Sequence, residues 1–163
     1  RVGNQKGLQN YKELRRITFS IFLLGTLFAS LFAFIFFIFH KSLPNIYVDL
    51  NDPINYTDNR EVILIASKLL LIAALFQISD SIQVIILGAL RGLQDVKIPT
   101  LITFVSYWIV GFPVSYFLGK EEVYGSFGIW IGLLAGLTTA SILLFIRFNM
   151  LTLKLINQKH ELT

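Results

Sequence analysis

Residues 17–39, 69–90, 98–118 and 127–146 run apolar with hardly a charge among them, and polar, basic or turn-forming segments separate them. A helix needs about 20 apolar residues, at about 1.5 Å rise each, to cross the hydrocarbon core of a bilayer, and each stretch meets that length. The first is apolar on every side of a helical wheel, which a helix on a water-soluble core is not. The pattern predicts an all-α integral membrane fold with four transmembrane helices. Residues 1–16 are then the end of a preceding helix and a cytoplasmic loop. Residues 17–163 hold the four helices and a short cytoplasmic tail. Residues 41–62, rich in Pro, Asn and Asp, read as an outer loop. That loop contains Asn55-Tyr56-Thr57, a glycosylation sequon in form and a triplet common by chance. Gly92 breaks the second helix and Pro99 suits the first turn of the third. This connection and GKEEVYG, between the third and fourth, are short, so neighbouring helices should pack as antiparallel hairpins.

Charge adds the orientation. The 163 residues are 55% hydrophobic and carry a formal charge of +4, with a mean hydropathy of +0.67. Ten of the 14 Lys and Arg residues fall on one side of the expected membrane: Arg1, Lys6, Lys12, Arg15, Arg16, Arg91, Lys97, Arg147, Lys154 and Lys159. Lys41, Arg60, Lys68 and Lys120 fall on the other. The positive-inside rule then places both termini in the cytoplasm. The basic charge is thus a topology signal, and nucleic acid is not an expected partner. Cysteine is absent, which excludes disulfides, thiolate metal sites and thiol nucleophiles. His40 and His160 have no second ligand at metal-binding spacing. There is no phosphate-binding G-x-x-x-x-G-K-[ST], no G-x-S-x-G and no H-E-x-x-H, so no catalytic residue and no enzyme are expected. The opening at Arg1, with no signal-like segment behind it, leads us to expect a fragment of a longer polypeptide.

The second apolar stretch is interrupted by Asp80, near its midpoint. At about 100° per residue, Gln77, Asp80 and Gln83 spread over about 120° of one helix face, with Asp80 central. Ser81 and Gly88 lie toward the Gln77 edge. A carboxylate at mid-bilayer costs about 2.5–3.5 kcal/mol on insertion scales, which makes a functional role the default reading. Desolvation disfavours its charged form, and a proton or Na⁺, held with other oxygens, relieves that cost. The alternative is a carboxyl hydrogen-bonded to another helix to hold the bundle. Arg91 lies on the same face, but eleven residues separate the two by about 16 Å along the axis. It reaches for the interface instead.

The third stretch places Tyr107 and Trp108 in mid-membrane, away from the interfacial aromatic belts. Two readings stay open: walls of a cavity for flat or cationic ligands, or helix packing. Pro113, shortly after Gly111, should kink this helix. In the fourth stretch Gly128, Gly132 and Gly136 recur every fourth residue, a face for close helix packing.

These strings, taken together, resemble a known family. FQISDSIQVIILGALRGLQDVKIP is similar to the tenth transmembrane helix of the multidrug and toxic compound extrusion (MATE) transporters. In that helix an acidic residue precedes a glutamine by three positions and a G-x-x-R-G ending follows; Asp80, Gln83, Gly88, Arg91 and Gly92 match it. RVGNQKG resembles the end of the eighth helix, SYWIVGFPVSYFLG the eleventh, and GSFGIWIGLLAGLTTASILLFIRF the twelfth. The resemblance, nearest to the bacterial NorM-like branch, implies the C-terminal part of a twelve-helix, two-bundle secondary antiporter of the bacterial inner membrane. Such a protein expels organic cations and amphipathic compounds in exchange for Na⁺ or H⁺ and needs no other cofactor. It implies Asp80 as the cation-coupling carboxylate, with Gln77 and Gln83 beside it; the reading of Tyr107 and Trp108 as substrate-cavity walls rests on the residues alone. The implied partners are the lipid bilayer, small-molecule drugs and the N-terminal helices of the same protein. Three positions depart from the family. The acidic residue of the seventh helix is not in this chain, Phe76 stands where some relatives carry an aromatic hydroxyl, and Lys6 replaces an apolar residue near the inner surface, where it should do no harm. Two further readings are a small four-span membrane protein with a structural or partner-binding role, and a related flippase for lipid-linked glycans.

Overall fold

Two left-handed glutamines decide where membrane helices begin and end. In the computed structural model, which describes residues 1–48 and 56–161, a short helix α1 (Val2–Gly7) closes at Gln9, whose φ is 52°. The Gln9 amide donates to the Lys6 carbonyl and the Asn10 amide to that of Gln5, the paired closure that follows a left-handed residue. Asn10 then caps α2 (Tyr11–Phe39): its side chain accepts from the Glu13 amide at 3.3 Å, satisfying a donor that a helix start leaves open. So α2 begins at Tyr11, ahead of the apolar run that announces it.

The second and fourth spans overrun their apolar stretches further. α3 (Tyr56–Gly92) and the last helix, α5 (Gly125–Glu161), have 37 residues each. That is about 55 Å of helix against about 30 Å of hydrocarbon. The expected outer loop is accordingly shorter than 41–62. It holds a 3₁₀ turn at Leu43–Ile46, and residues 57–62 already belong to α3. Those residues include no Pro or Gly, and Asp58 in the first turn suits the positive end of the helix dipole. Polarity there marked the edge of the membrane and not the end of a helix. Asn55, the acceptor of the sequon, lies outside the described residues. The tail expected after residue 146 is likewise helical. Phe148 and Thr152 are fully buried, and Leu151 and Leu155 pack on the core, so the helical period continues in a segment too polar to read as a span.

α4 (Lys97–Leu118) is one span with an irregular middle. It is regular over Lys97–Val105, widens to a π-type turn over Ser106–Gly111 and is regular again over Phe112–Leu118. The Phe112 amide reaches the Tyr107 carbonyl, five residues back. Pro113 follows immediately, and because it has no N–H and its ring crowds the preceding turn, the wider turn is where the expected distortion settles.

α3 and α5 form the centre of the bundle, with α2 on the flank of α3 and α4 on the flank of α5. The tightest seam is between α4 and α5. A Cβ at Gly136 would stand 3.0 Å from the Gly111 Cα, one at Gly132 would run into the Ser115 backbone, and one at Gly128 into the Leu118 carbonyl. The glycine stripe is a packing face. At the end that holds both termini, Leu14, Ile86, Ala89, Leu90, Leu93, Leu144 and Phe148 make a continuous core.

Polar ties close that end. Lys6 makes contacts of its own: its ammonium donates to the Leu93 carbonyl at 2.7 Å and to Gln94 Oε1 at 2.8 Å. It thereby caps the C-terminus of α3 just where Gln94 turns left-handed, at φ 60°. Arg15 donates to Asn149 Oδ1 and Thr152 Oγ1, joining α2 to α5. Arg147 holds Asp95 at 2.9 Å, fixing the α3–α4 connection to α5.

The seam makes a stability prediction. Gly132→Ala in the full-length protein should cost about 1–3 kcal/mol through overpacking, whereas Gly7→Ala, where a Cβ meets nothing within 4 Å, should be neutral or slightly stabilising. Thermal unfolding in detergent compares the two.

Candidate functional site

The polar strip of α3 begins from its back. Ser79 faces α5, its hydroxyl 3.1 Å from that of Thr138, and its backbone carbonyl accepts from Ser141 Oγ at 2.7 Å. Ser141 also bonds the Leu137 carbonyl of its own helix and is 3% exposed. These contacts fix the rotation of α3 about its axis. Because successive residues are about 100° apart, holding Ser79 against α5 turns Asp80 away from it.

Asp80 is exposed on the open face of the four helices, and among the described residues it has no hydrogen bond or ion pair. The face is bounded on one side by α2, where Gly25 comes close to Ile85 and Ser81. On the other side stands Tyr107 of α4, whose hydroxyl donates to Gln83 Oε1 over a long 3.4 Å. Gln83 is buried, at 9% exposure, about one turn along α3 from Asp80. The structure thus brings Asp80, Gln83 and Tyr107 together. Gln77 sits half-buried on the α2 side of Asp80, without a hydrogen bond among the described residues. Trp108 does not join them: it is 59% exposed and packs between Phe104 and Phe112 on the outer face of α4.

Below Asp80, toward the termini, the strip continues through Val84, 59% exposed, and Gly88, where an added Cβ would meet nothing within 4 Å. It ends in a cleft of about 360 Å³ lined by Val84, Gly88 and Gly92 of α3, Thr18 and Ile21 of α2, and Arg1. Arg91 stays exposed and makes no ion pair with Asp80. Among the described residues no group of three His, Cys, Asp or Glu converges on a metal position. The strip instead offers one carboxylate with amide and phenol oxygens nearby, hard donors of the kind that suit a proton or an alkali cation.

Residues 1–117 match the MatE family. The chain belongs to that family. Among curated relatives, it is 37% identical over 148 residues to the multidrug resistance protein MdtK of Proteus mirabilis, a match covering 88% of this chain and 30% of the relative. It is 38% identical over 151 residues to the multidrug resistance protein NorM of Aliivibrio fischeri, covering 90% of this chain and 31% of that protein. With NorM of Burkholderia vietnamiensis the identity is 37% over 156 residues, 96% of this chain and 33% of the relative. This MatE chain therefore spans about a third of the length of the relatives it matches.

Sequence reasoning passed over Ser79, Thr138 and Ser141, which aim the strip without belonging to it. A signal was present: Thr138, Thr139 and Ser141 cluster hydroxyls in an otherwise apolar span, and hydroxyls at a membrane helix face commonly bond across to a neighbour. Ser141→Ala should lower stability by about 0.6 kcal/mol, the average for such a bond in a membrane. Ser141→Leu, which forces bulk into a closed seam, should lower it more. Denaturant titration of the full-length protein in detergent reads both.

Proposed function

We propose that this chain is the C-terminal part of an ion-coupled multidrug efflux antiporter of the bacterial inner membrane, with both termini cytoplasmic. Asp80 takes up and releases Na⁺ or H⁺ while an organic cation or amphipathic compound moves the other way. The observation that carries the proposal is a lone carboxylate in mid-membrane that the four helices turn to an open face and leave without a partner among the described residues. Within this segment the α3–α5 seam is held by Ser79, Thr138 and Ser141, not by Asp80.

The chemistry follows from the position. A charged carboxylate facing a cleft within the membrane is costly, and loading it with a cation removes that cost. Loading therefore stabilises whichever conformation encloses the site and discharge stabilises the one that opens it, a population shift set by the difference in ion affinity between the two. Gln83, held by Tyr107, supplies a fixed amide beside the carboxylate, and Gln77 a second amide on its other side. The whole protein is a transporter and not an enzyme, and its drug substrates are those that the names of its relatives, multidrug resistance proteins, point to. Its cleft is completed by helices of the same polypeptide outside this segment.

Asp80→Asn keeps the size and most hydrogen-bonding capacity of the side chain but cannot cycle a proton or bind a cation as a charge. In proteoliposomes of the full-length protein, the variant should insert normally and lose substrate efflux driven by an imposed ion gradient, down to the level of empty vesicles. The wild type should respond to a pH gradient or to a Na⁺ gradient, which identifies the coupling ion. Efflux at the wild-type rate from Asp80→Asn would end the coupling role.

A further inference from the structure

The outer face of α4 carries an aromatic ring at every fourth residue: Phe104, Trp108, Phe112 and Tyr116. Successive ring centroids are 5.9, 5.8 and 6.5 Å apart, with planes inclined by 34°, 35° and 23°. In a regular α-helix each four-residue step overshoots one turn by about 40°, so three steps would carry the row about 120° around the helix. The π-type turn at Ser106–Gly111 lies within the row. Its wider turn holds more residues and takes back that drift. The result is one continuous, nearly flat wall of rings, and each ring is more than half exposed, from 58% at Phe104 to 62% at Tyr116.

The wall runs about 18 Å along the helix, twelve residues at about 1.5 Å each, close to the depth of one leaflet, about half of the 30 Å hydrocarbon core. Aromatic residues of membrane proteins gather at the interfaces, whereas this row runs through the depth of a leaflet. It ends in a charged group: the Lys120 ammonium lies 5.7 Å from the Tyr116 ring centroid, and exposed Glu121 and Glu122 follow it.

We propose that this face is a binding site for one phosphatidylethanolamine molecule of the leaflet that holds Lys120. An acyl chain lies along the four rings, the phosphate pairs with Lys120, and the headgroup ammonium donates to Glu121 or Glu122. The two carboxylates choose the headgroup. A glycerol headgroup brings no cation to offset the carboxylates beside its phosphate, and a choline headgroup has no N–H to donate. The site is independent of the ion-coupling role of Asp80, which lies on the open face of α3.

The test uses the full-length protein reconstituted in vesicles of equal phosphatidylethanolamine, phosphatidylglycerol and phosphatidylcholine, with the retained lipids counted by native mass spectrometry. Phosphatidylethanolamine should be enriched about fivefold over either competitor, the size of one interfacial charge contact. Lys120→Glu should abolish the enrichment, and so should Trp108→Leu combined with Phe112→Leu, with unfolding temperatures close to wild type because all three side chains point outward. Should Lys120→Glu fail to accumulate, Lys120→Gln reads the same contact. Equal retention of the three lipids, a preference for phosphatidylglycerol, or an enrichment that survives both sets of variants would overturn the site. So would crosslinking of a photoreactive residue at position 108 to another helix or to a second copy of the protein.

Discussion

The seam between α3 and α5 decides what the rest of the molecule presents. In a bilayer the hydrophobic effect does not distinguish one apolar face of a helix from another, so rotation about the helix axis is set by packing and by hydrogen bonds between helices. α3 is apolar almost all round, and its one polar strip would be unstable turned into lipid. The Ser141 hydroxyl on the Ser79 carbonyl, and the Ser79 hydroxyl beside that of Thr138, hold it in a single rotation, with Asp80 outward. α5 is in turn held against α4 by glycines that leave no room for a Cβ, and that contact carries Tyr107 across to Gln83.

The ends of the helices answer a different constraint. At the end with both termini, each turn needs its backbone groups satisfied and its charges kept in water. Lys6 caps the carbonyl end of α3, Arg15 bridges α2 to α5, and Arg147 pairs with Asp95. α3 is thus fixed at its foot by Lys6 and at its middle by Ser79, while the face between α2 and α4 stays open.

Much of this was legible in the amino-acid sequence. The four spans follow from apolar runs alone. The glycine stripe and Asp80 both stand out because they break what lipid would select, and charge counting alone gave an orientation for the proposal. The helix ends were not legible from hydropathy, because a helix that leaves the membrane continues with polar residues. α3 starting at Tyr56 and α5 reaching Glu161 show that lipid sets where the apolar run stops, not where the backbone stops being helical. Nor could spacing say which of Tyr107 and Trp108 faces inward. They differ by one helical step, and only the glycine contact with Gly136 settles that Tyr107 is the inner one. The capping contacts of Lys6 were not legible because its partners, Leu93 and Gln94, are more than 80 residues away in the chain.

The proposed coupling role depends on whether the strip that carries Asp80 faces water in the full-length protein. Val84 lies one turn from Asp80 on the same open face, and the chain has no cysteine of its own. Val84→Cys in a full-length background otherwise free of cysteine therefore reports on that face with the carboxylate intact. A charged, membrane-impermeant thiol reagent applied to opened vesicles should modify it, and transported substrate should slow the reaction. If only a lipid-soluble reagent reacts, or none does whatever ion or substrate is present, the strip faces lipid or a sealed seam and Asp80 is not the coupling carboxylate.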